Sequence, residues 1–358
     1  MNRSDLLFDR PEELAATRPA EPSGRARDAG RLLVSDSRGH RHGRFANLAD
    51  FLEPGDLLVI NRSATLPASL PAKSYSPDRR SSEPFTLNLS TNYGAGLWLA
   101  EPRISHSLPG PVPGLSAGDT FEVAGVKATL IAAFPDIPRL WFVQFEAGLS
   151  GAMRRAGQPI RYAYVDGAYG LEHYQTLFSS VPGSAEMPSA GYPFTGRVVQ
   201  RLVDRGVRLA SIVLHTGVSS LEVEVDDITQ HTLYPEPYEV SRLTARAVNE
   251  TRDAGRRVIA VGTTVVRALE SAWDGQAVRA SSGFTRLYIH PGRGLNVVDG
   301  LLTGLHDPLT SHLAMLYTLA GQDMIRDAYN AATGQGYRWH EFGDSHLILP
   351  GKRQQVMV

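Results

Sequence analysis

His215, Thr263, Thr264 and Arg267 are the residues whose types and spacing best fit chemistry in this chain. His215 closes the apolar run from Arg208 and is followed by Thr216 and Gly217, so its ring should emerge where a buried strand ends. Ligand sites in parallel α/β folds gather at that carboxyl edge, and an imidazole there can move protons near neutral pH. A histidine hydrogen-bonded within the strand-to-loop junction is the alternative. Thr263 and Thr264 follow the strand-like run Val258 to Val261 and a single Gly262, after which the pattern turns helical. The start of a helix carries unpaired N–H groups and the positive end of the macrodipole, so Gly262, Thr263 and Thr264 suit a carboxylate. Arg267, one turn later, either adds a forked donor pair for the same carboxylate or pairs with Glu270 on the helix surface.

Two weaker candidates accompany these. Ser189, Ala190 and Gly191 follow Pro188 and precede a helix; such small residues let backbone approach a flat ring, though a plain turn uses them too. Asp299 interrupts the apolar run Val297 to Leu302, where a carboxylate is either functional or held in a structural salt bridge. No phosphate loop, dinucleotide fingerprint or metal-binding helix motif occurs, so no metal is expected.

The elements that must position these residues alternate from Val207 onward. A helical face at Phe194, Val198, Val199, Leu202 and Val203 stops at Gly206, and Arg208 to His215 reads as a buried strand. Ser241 can cap a helix running to Gly255, with strand Val258 to Val261 and helix Thr263 to Trp273 behind it. Strands at Phe284 to His290 and Leu295 to Leu302, helices at Leu309 to Leu319 and Asp323 to Ala332, and a short strand Leu347 to Leu349 complete the pattern. Such alternation implies a largely parallel sheet or barrel. Between Pro67 and Phe145 the short β-type runs Phe85 to Leu89, Leu97 to Ala100, Thr120 to Val123 and Leu140 to Phe145 are separated by Gly, Pro and Ser, the signal of a small antiparallel barrel.

With 358 residues and 42% hydrophobic content the chain is long enough for a large core, and two domains are expected. No apolar run is long enough to cross a bilayer and Met1 to Arg10 is polar, so a cytoplasmic location is expected. The absence of cysteine excludes disulfides, thiolate nucleophiles and cysteine-ligated zinc or iron–sulfur clusters. A formal charge of −1 gives no global attraction to nucleic acid. Local basic patches are another matter: Arg25, Arg27, Arg31, Arg38, Arg41 and Arg44 cluster early, and Arg154, Arg155 and Arg161 lie near the domain junction. They read as phosphate contacts or as a solvated surface in a chain whose lysines are Lys73, Lys127 and Lys352.

Motifs in one fixed order carry a resemblance. Val261-Gly262-Thr263-Thr264-Val265-Val266-Arg267-Ala268-Leu269-Glu270-Ser271 departs from a family signature only at Val265, and it is accompanied by Asp56 to Asn61, Tyr174 to Phe178, Pro188 to Gly191, Leu214 to Gly217, Val297 to Asp299, and Gly336-Tyr337-Arg338 leading to Gly343-Asp344. The chain resembles the S-adenosylmethionine:tRNA ribosyltransferase-isomerases of queuosine biosynthesis, densely from Tyr174 to Leu349 and thinly between Leu70 and Gly170. The resemblance implies a distorted α/β barrel main domain, residues 1–66 and 151–358, with a small antiparallel β-barrel, residues 67–150, inserted into it. It implies S-adenosylmethionine as co-substrate, without cluster-driven radical chemistry, and tRNA as partner. The ribosyl group would pass to the aminomethyl group of a tRNA 7-deazaguanine and become an epoxycyclopentane, as adenine and methionine leave. It places His215 as the proton-transfer residue, with Asn61, Ser189, Ala190, Gly191, Thr216, Gly217, Gly262, Thr263, Thr264, Arg267, Asp299 and His306 binding substrate. His231, Glu236 and Asp344 also match family positions without an assigned role, and Tyr337 reads as core.

The pattern breaks at polar positions. An acid becomes Arg62, two arginines become Ala64 and Ser69, and a histidine becomes Pro193; a glycine-rich loop becomes Thr216 to Leu221, and an Asn-Phe-His-Leu-Pro stretch becomes Gly304 to Pro308. These changes spare the apolar framework and touch proton-transfer or phosphate-binding groups. They leave open a relative acting on S-adenosylmethionine or a related nucleoside with a small acceptor, or a silent nucleoside- or RNA-binding protein.

Overall fold

The structure, a computed structural model, describes residues 1–74, 84–105, 112–218 and 222–351. Ser219, Ser220 and Leu221 of the altered loop, and Lys352, lie outside the described residues. Nine strands form the main sheet in the order Ser281–Thr285, Glu236–Val240, Arg208–Leu214, Leu57–Asn61, Val258–Val261, Gly300–Gly304, Ser345–Leu349, Arg31–Asp36 and Gly39–Arg44. The main unit, expected as a distorted α/β barrel, is a mixed α/β unit whose large sheet has edges at Ser281–Thr285 and Gly39–Arg44.

Four central neighbours, Arg208–Leu214, Leu57–Asn61, Val258–Val261 and Gly300–Gly304, run parallel, so Leu214, Asn61, Val261 and Gly304 end along one edge. Their continuous apolar runs follow from cover on both faces. Leu57, Val59, Val258, Ala260 and Leu301 enter one core, while Leu58, Ile60, Ile259, Val261 and Leu302 enter another. Alternate side chains of a strand point to opposite faces, which is why the two sets interleave. The helix Arg242–Asp253 starts where expected, with the Ser241 hydroxyl accepting the Thr244 N–H at 3.1 Å. Helix Gly196–Asp204 gives way at Gly206, whose φ of 81° is the left-handed conformation that favours glycine.

Six antiparallel strands close the small barrel in the order Ile137–Phe145, Leu97–Arg103, Phe85–Gly94, Ser69–Ser74, Thr120–Val123 and Val126–Phe134. Its apolar core includes Leu87, Leu99, Val123, Leu130 and Val143, and also draws in Leu149, Ala152 and Met153 from helix Leu149–Ala156.

Two expected strands are corrected, each because a side chain competes with the ladder for backbone groups. Only Phe284 and Thr285 of Phe284 to His290 belong to a strand; beyond them Thr285 and Leu287 turn their carbonyls to the Arg267 guanidinium. The run Leu295 to Leu302 becomes a strand only at Gly300. Before that point the N–H groups of Asn296, Val297 and Val298 donate to the buried Glu270 carboxylate.

Candidate active site

A cavity of about 220 Å³ lies at the carboxyl edge of the parallel strands. Gly262 makes its floor possible: φ is 94°, and a Cβ there would lie 3.2 Å from the Ala190 methyl. The strand Val258–Val261 therefore turns within one residue into helix Thr263–Ser271, bringing Thr263, Thr264 and Arg267 to the cavity wall. Ser189 and Ala190 line it from the short turn after Pro188, Thr216 from the loop after Leu214, and His306 from the loop after Gly304.

The other sequence candidates stand behind this wall. Asn61 is buried and joins three elements: its Nδ2 donates to Leu214 O at 2.8 Å and to Thr264 Oγ1 at 3.2 Å, and its Oδ1 accepts the Leu214 N–H. Gly191 is buried against Thr176. Gly217 donates its N–H to Glu236 at 2.8 Å, and any side chain there would collide with Ser90 of the small barrel and with Tyr234. Asp299 belongs to the opposite edge of the sheet, where Oδ2 accepts the Val258 N–H at 2.9 Å. His215 also sits off the lining. Its Nδ1 is 2.7 Å from Ser63 Oγ, which lies 2.5 Å from Ser184 Oγ; that hydroxyl in turn accepts the Thr216 N–H. Burial lowers the His215 pKa, so the ring is held neutral within this chain of hydroxyls.

Arg267 pairs with neither a surface Glu270 nor open solvent. Its Nη1 donates to the buried carboxylate of Glu236, its Nε to Leu287 O at 3.0 Å and its Nη2 to Thr285 O at 3.2 Å. Glu236 is thereby explained: it accepts both Arg267 and the Gly217 N–H, coupling the helix to the loop that carries Thr216. Asp344 has a different task, clamping the N–H groups of Arg31 at 2.6 Å and Arg338 at 2.8 Å. Tyr337 is core, as expected, with its hydroxyl 2.9 Å from His42 Nδ1. His231 is not itself in the lining but packs edge-on against Tyr288, which is.

The match to known proteins runs nearly end to end. The family described as "Queuosine biosynthesis protein" matches residues 3–348. S-adenosylmethionine:tRNA ribosyltransferase-isomerases from Rubrobacter xylanophilus and Deinococcus radiodurans are 38% and 36% identical, covering 99% and 96% of this chain and 99% and 94% of their own. The crystal structure of S-adenosylmethionine tRNA ribosyltransferase from Thermotoga maritima aligns with a TM-score of 0.54 at 29% identity, covering 97% of this chain and all of that one. The chain belongs to the queuosine biosynthesis family.

Within this queuosine-family fold, Arg62, Ala64, Ser69 and Pro193 all lie off the cavity lining, whereas Leu305, His306, Asp307 and Pro308 of the altered stretch are on it. Sequence reasoning missed the opposite wall altogether. Tyr162 donates its hydroxyl to Glu186 at 2.6 Å, Tyr164 stacks on His340 with ring centres 4.5 Å apart, and Glu341 is 8% exposed. His340 Nε2 lies 2.6 Å from Asp307 Oδ2. The available signal was a carboxylate, Glu341, set among Trp339, His340 and Phe342. His312 was missed too: it faces the cavity as the second residue of helix Ser311–Ala320, with its ring 4.7 Å from that of His306. Burial lowers both imidazoles, His312 to about 4, so both are neutral at physiological pH. Among the described residues, no group of three or more His, Asp or Glu side chains is placed to hold a metal ion, and no helix is long and apolar enough to cross a membrane.

Proposed function

We propose that this chain is an S-adenosylmethionine:tRNA ribosyltransferase-isomerase working in the cytoplasm. It would transfer the ribosyl part of S-adenosylmethionine to the aminomethyl group of a tRNA 7-deazaguanine, rearrange it to the epoxycyclopentane of epoxyqueuosine, and release adenine and methionine. The observation that carries this reading is the coincidence of near full-length similarity with a cavity at the strand ends, lined by the Gly262-Thr263-Thr264 turn. The N–H groups of that turn suit the methionine carboxylate. Of the carboxyl groups in the lining, Glu222 and Asp307 suit the sulfonium and its neighbouring ammonium.

The chemistry needs a base for the proton next to the sulfonium and an acid to help adenine leave. His306 and His312, neutral and facing the cavity, suit the first task. His215, reaching the cavity only through Ser63, Ser184 and the Thr216 backbone, suits a positioning role. Arg267, with three of its nitrogens already donating to protein, supports the wall that the carboxylate meets.

A second reading, with a small acceptor in place of tRNA, is favoured by the early arginines. Arg27 reaches the Gln175 carbonyl, Arg31 lies over Tyr337, and Arg38 and Arg41 converge on Asp36, so each of these side chains already has a partner within the protein. Chromatography of S-adenosylmethionine reactions, with and without tRNA carrying the aminomethyl-deazaguanine, separates the two. Adenine release that depends on the tRNA is expected. Binding of S-adenosylmethionine without any release on addition of that tRNA would refute the tRNA reaction.

A further inference from the structure

The wall formed by Tyr162, Glu186 and Glu341 has a feature that packing does not explain. Glu341 is buried, it faces the cavity, and its Oε2 has no hydrogen-bond partner. An orphaned carboxyl oxygen is costly in an interior, and its natural complement is a donor supplied by whatever enters the cavity. Glu186, also buried and on the lining, is close enough to repel it, so the pair together offers negative charge to one point. Tyr162 fixes Glu186 through its hydroxyl, and the Tyr164–His340 stack borders the same wall. A phosphate or carboxylate would meet like charge here. A compact ammonium group, with three N–H donors, meets both carboxyls and satisfies the orphaned oxygen.

We propose that Glu186 and Glu341, with Tyr162 as the positioning residue, form the subsite that holds the ammonium group of the acceptor amine. This rests on the transfer reaction proposed above and adds where its acceptor group is bound, as an ammonium that gives up one proton before its nitrogen can attack. Burial, and then the neighbouring Glu186, push the Glu341 carboxyl well above its ordinary range, which favours its protonated form while the subsite is empty. Tyr164 and Tyr174 also feel the Glu341 charge, and His340 stacks on Tyr164. When R–NH3⁺ enters, that proton leaves to solvent and the ammonium sits between two carboxylates. One cation replaces one proton, and no bond to carbon forms or breaks.

The experiment titrates the full chain with 7-aminomethyl-7-deazaguanine and with its 7-hydroxymethyl counterpart, by calorimetry at pH 7 in two buffers of different ionisation enthalpy. The wild type should prefer the amine by about tenfold or more, the usual scale for charge-assisted hydrogen bonds, and release about one proton per amine bound. In Glu341→Gln, the preference should shrink to within about twofold and the proton release should vanish. Tyr162→Phe, which keeps the ring but withdraws the hydroxyl from Glu186, should weaken the preference in part. It keeps the test open if Glu341→Gln does not fold. Equal binding of amine and alcohol by the wild type, no binding of either, or a preference unchanged in both variants would overturn the subsite. A wild type that prefers the amine yet releases no adenine with tRNA would refute the transfer reaction while leaving the ammonium site standing.

Discussion

The two walls of the cavity handle charge in opposite ways. On the Gly262–Arg267 side the buried charges are closed on themselves: Arg267 meets Glu236, Glu236 takes the Gly217 N–H, and two carbonyls take the rest of the guanidinium. On the Tyr162–Glu341 side two carboxyls lie close enough to repel each other, and one oxygen is left without a partner. The first wall is finished without a ligand and can hold backbone N–H groups at fixed positions. The second is completed only by what binds. Pre-organised donors on one side and an unsatisfied acceptor on the other are what a site needs to orient the anionic group of one substrate and the cationic group of the other.

The largest effect should come from opening the closed wall. Arg267→Ala leaves the Glu236 carboxylate buried beside the Gly217 N–H alone, and removing one partner of a buried pair costs about 3–5 kcal/mol. Urea denaturation should show it, with a markedly smaller loss when Glu236→Gln is added; equal losses in the single and double variants would mean that the pair is not what closes the wall. Next come the imidazoles between the walls. His312→Asn and His306→Asn should each lower kcat by about a hundredfold or more, the usual contribution of a general base. His215→Ala, acting only through hydroxyls behind the wall, should cost less and act mainly on KM. A larger kcat loss at His215 than at His312 would return the proton-transfer role to His215.

How much of this could be read in the sequence follows the same division. The turn in the closed wall was legible because its construction is local: strand, one glycine with positive φ, and a helix start are consecutive residues from Val258 to Ser271, whereas the Arg267–Glu236 pair that closes the wall was not. The alternating helices and strands around it, and four of the six barrel strands, were legible from periodicity and punctuation. The strands at Phe284 and Leu295 were over-extended because nothing local reveals that Arg267 and Glu270, far along the chain, draw off their backbone groups. His215 looked like a cavity residue because strand ends point to the edge. Which side of the edge a side chain takes depends on Ser63 and Ser184, which arrive from elsewhere. The open wall was illegible for the same reason. Glu186 and Glu341 are more than 150 positions apart and meet only in the fold.

A smaller effect tests whether the open wall is as unbalanced as its geometry implies. With the Glu341 pKa raised above the ordinary glutamate value of 4.5, the native protein keeps a proton that the unfolded chain gives up. The unfolded state then binds fewer protons, so stability falls as pH rises from that value, by up to about 1.4 kcal/mol per pH unit. Glu341→Gln removes this slope: thermal unfolding of the two proteins should nearly coincide at pH 5, with the variant gaining by pH 8. Parallel profiles would place an ionised carboxylate on both walls and erase the contrast between them. The smallest effect isolates burial from pairing. Arg38 meets Asp36 at 3.0 Å, the same chemistry as Arg267 with Glu236, but its side chain is 76% exposed and Arg41 covers the same carboxylate. Solvent and the second arginine should hold the loss in Arg38→Ala to about 0–1 kcal/mol in the same denaturation assay. If Arg38→Ala instead cost as much as Arg267→Ala, the stability of the closed wall would owe nothing to being dry, and burial would not be what separates a wall that supports a site from ordinary surface charge.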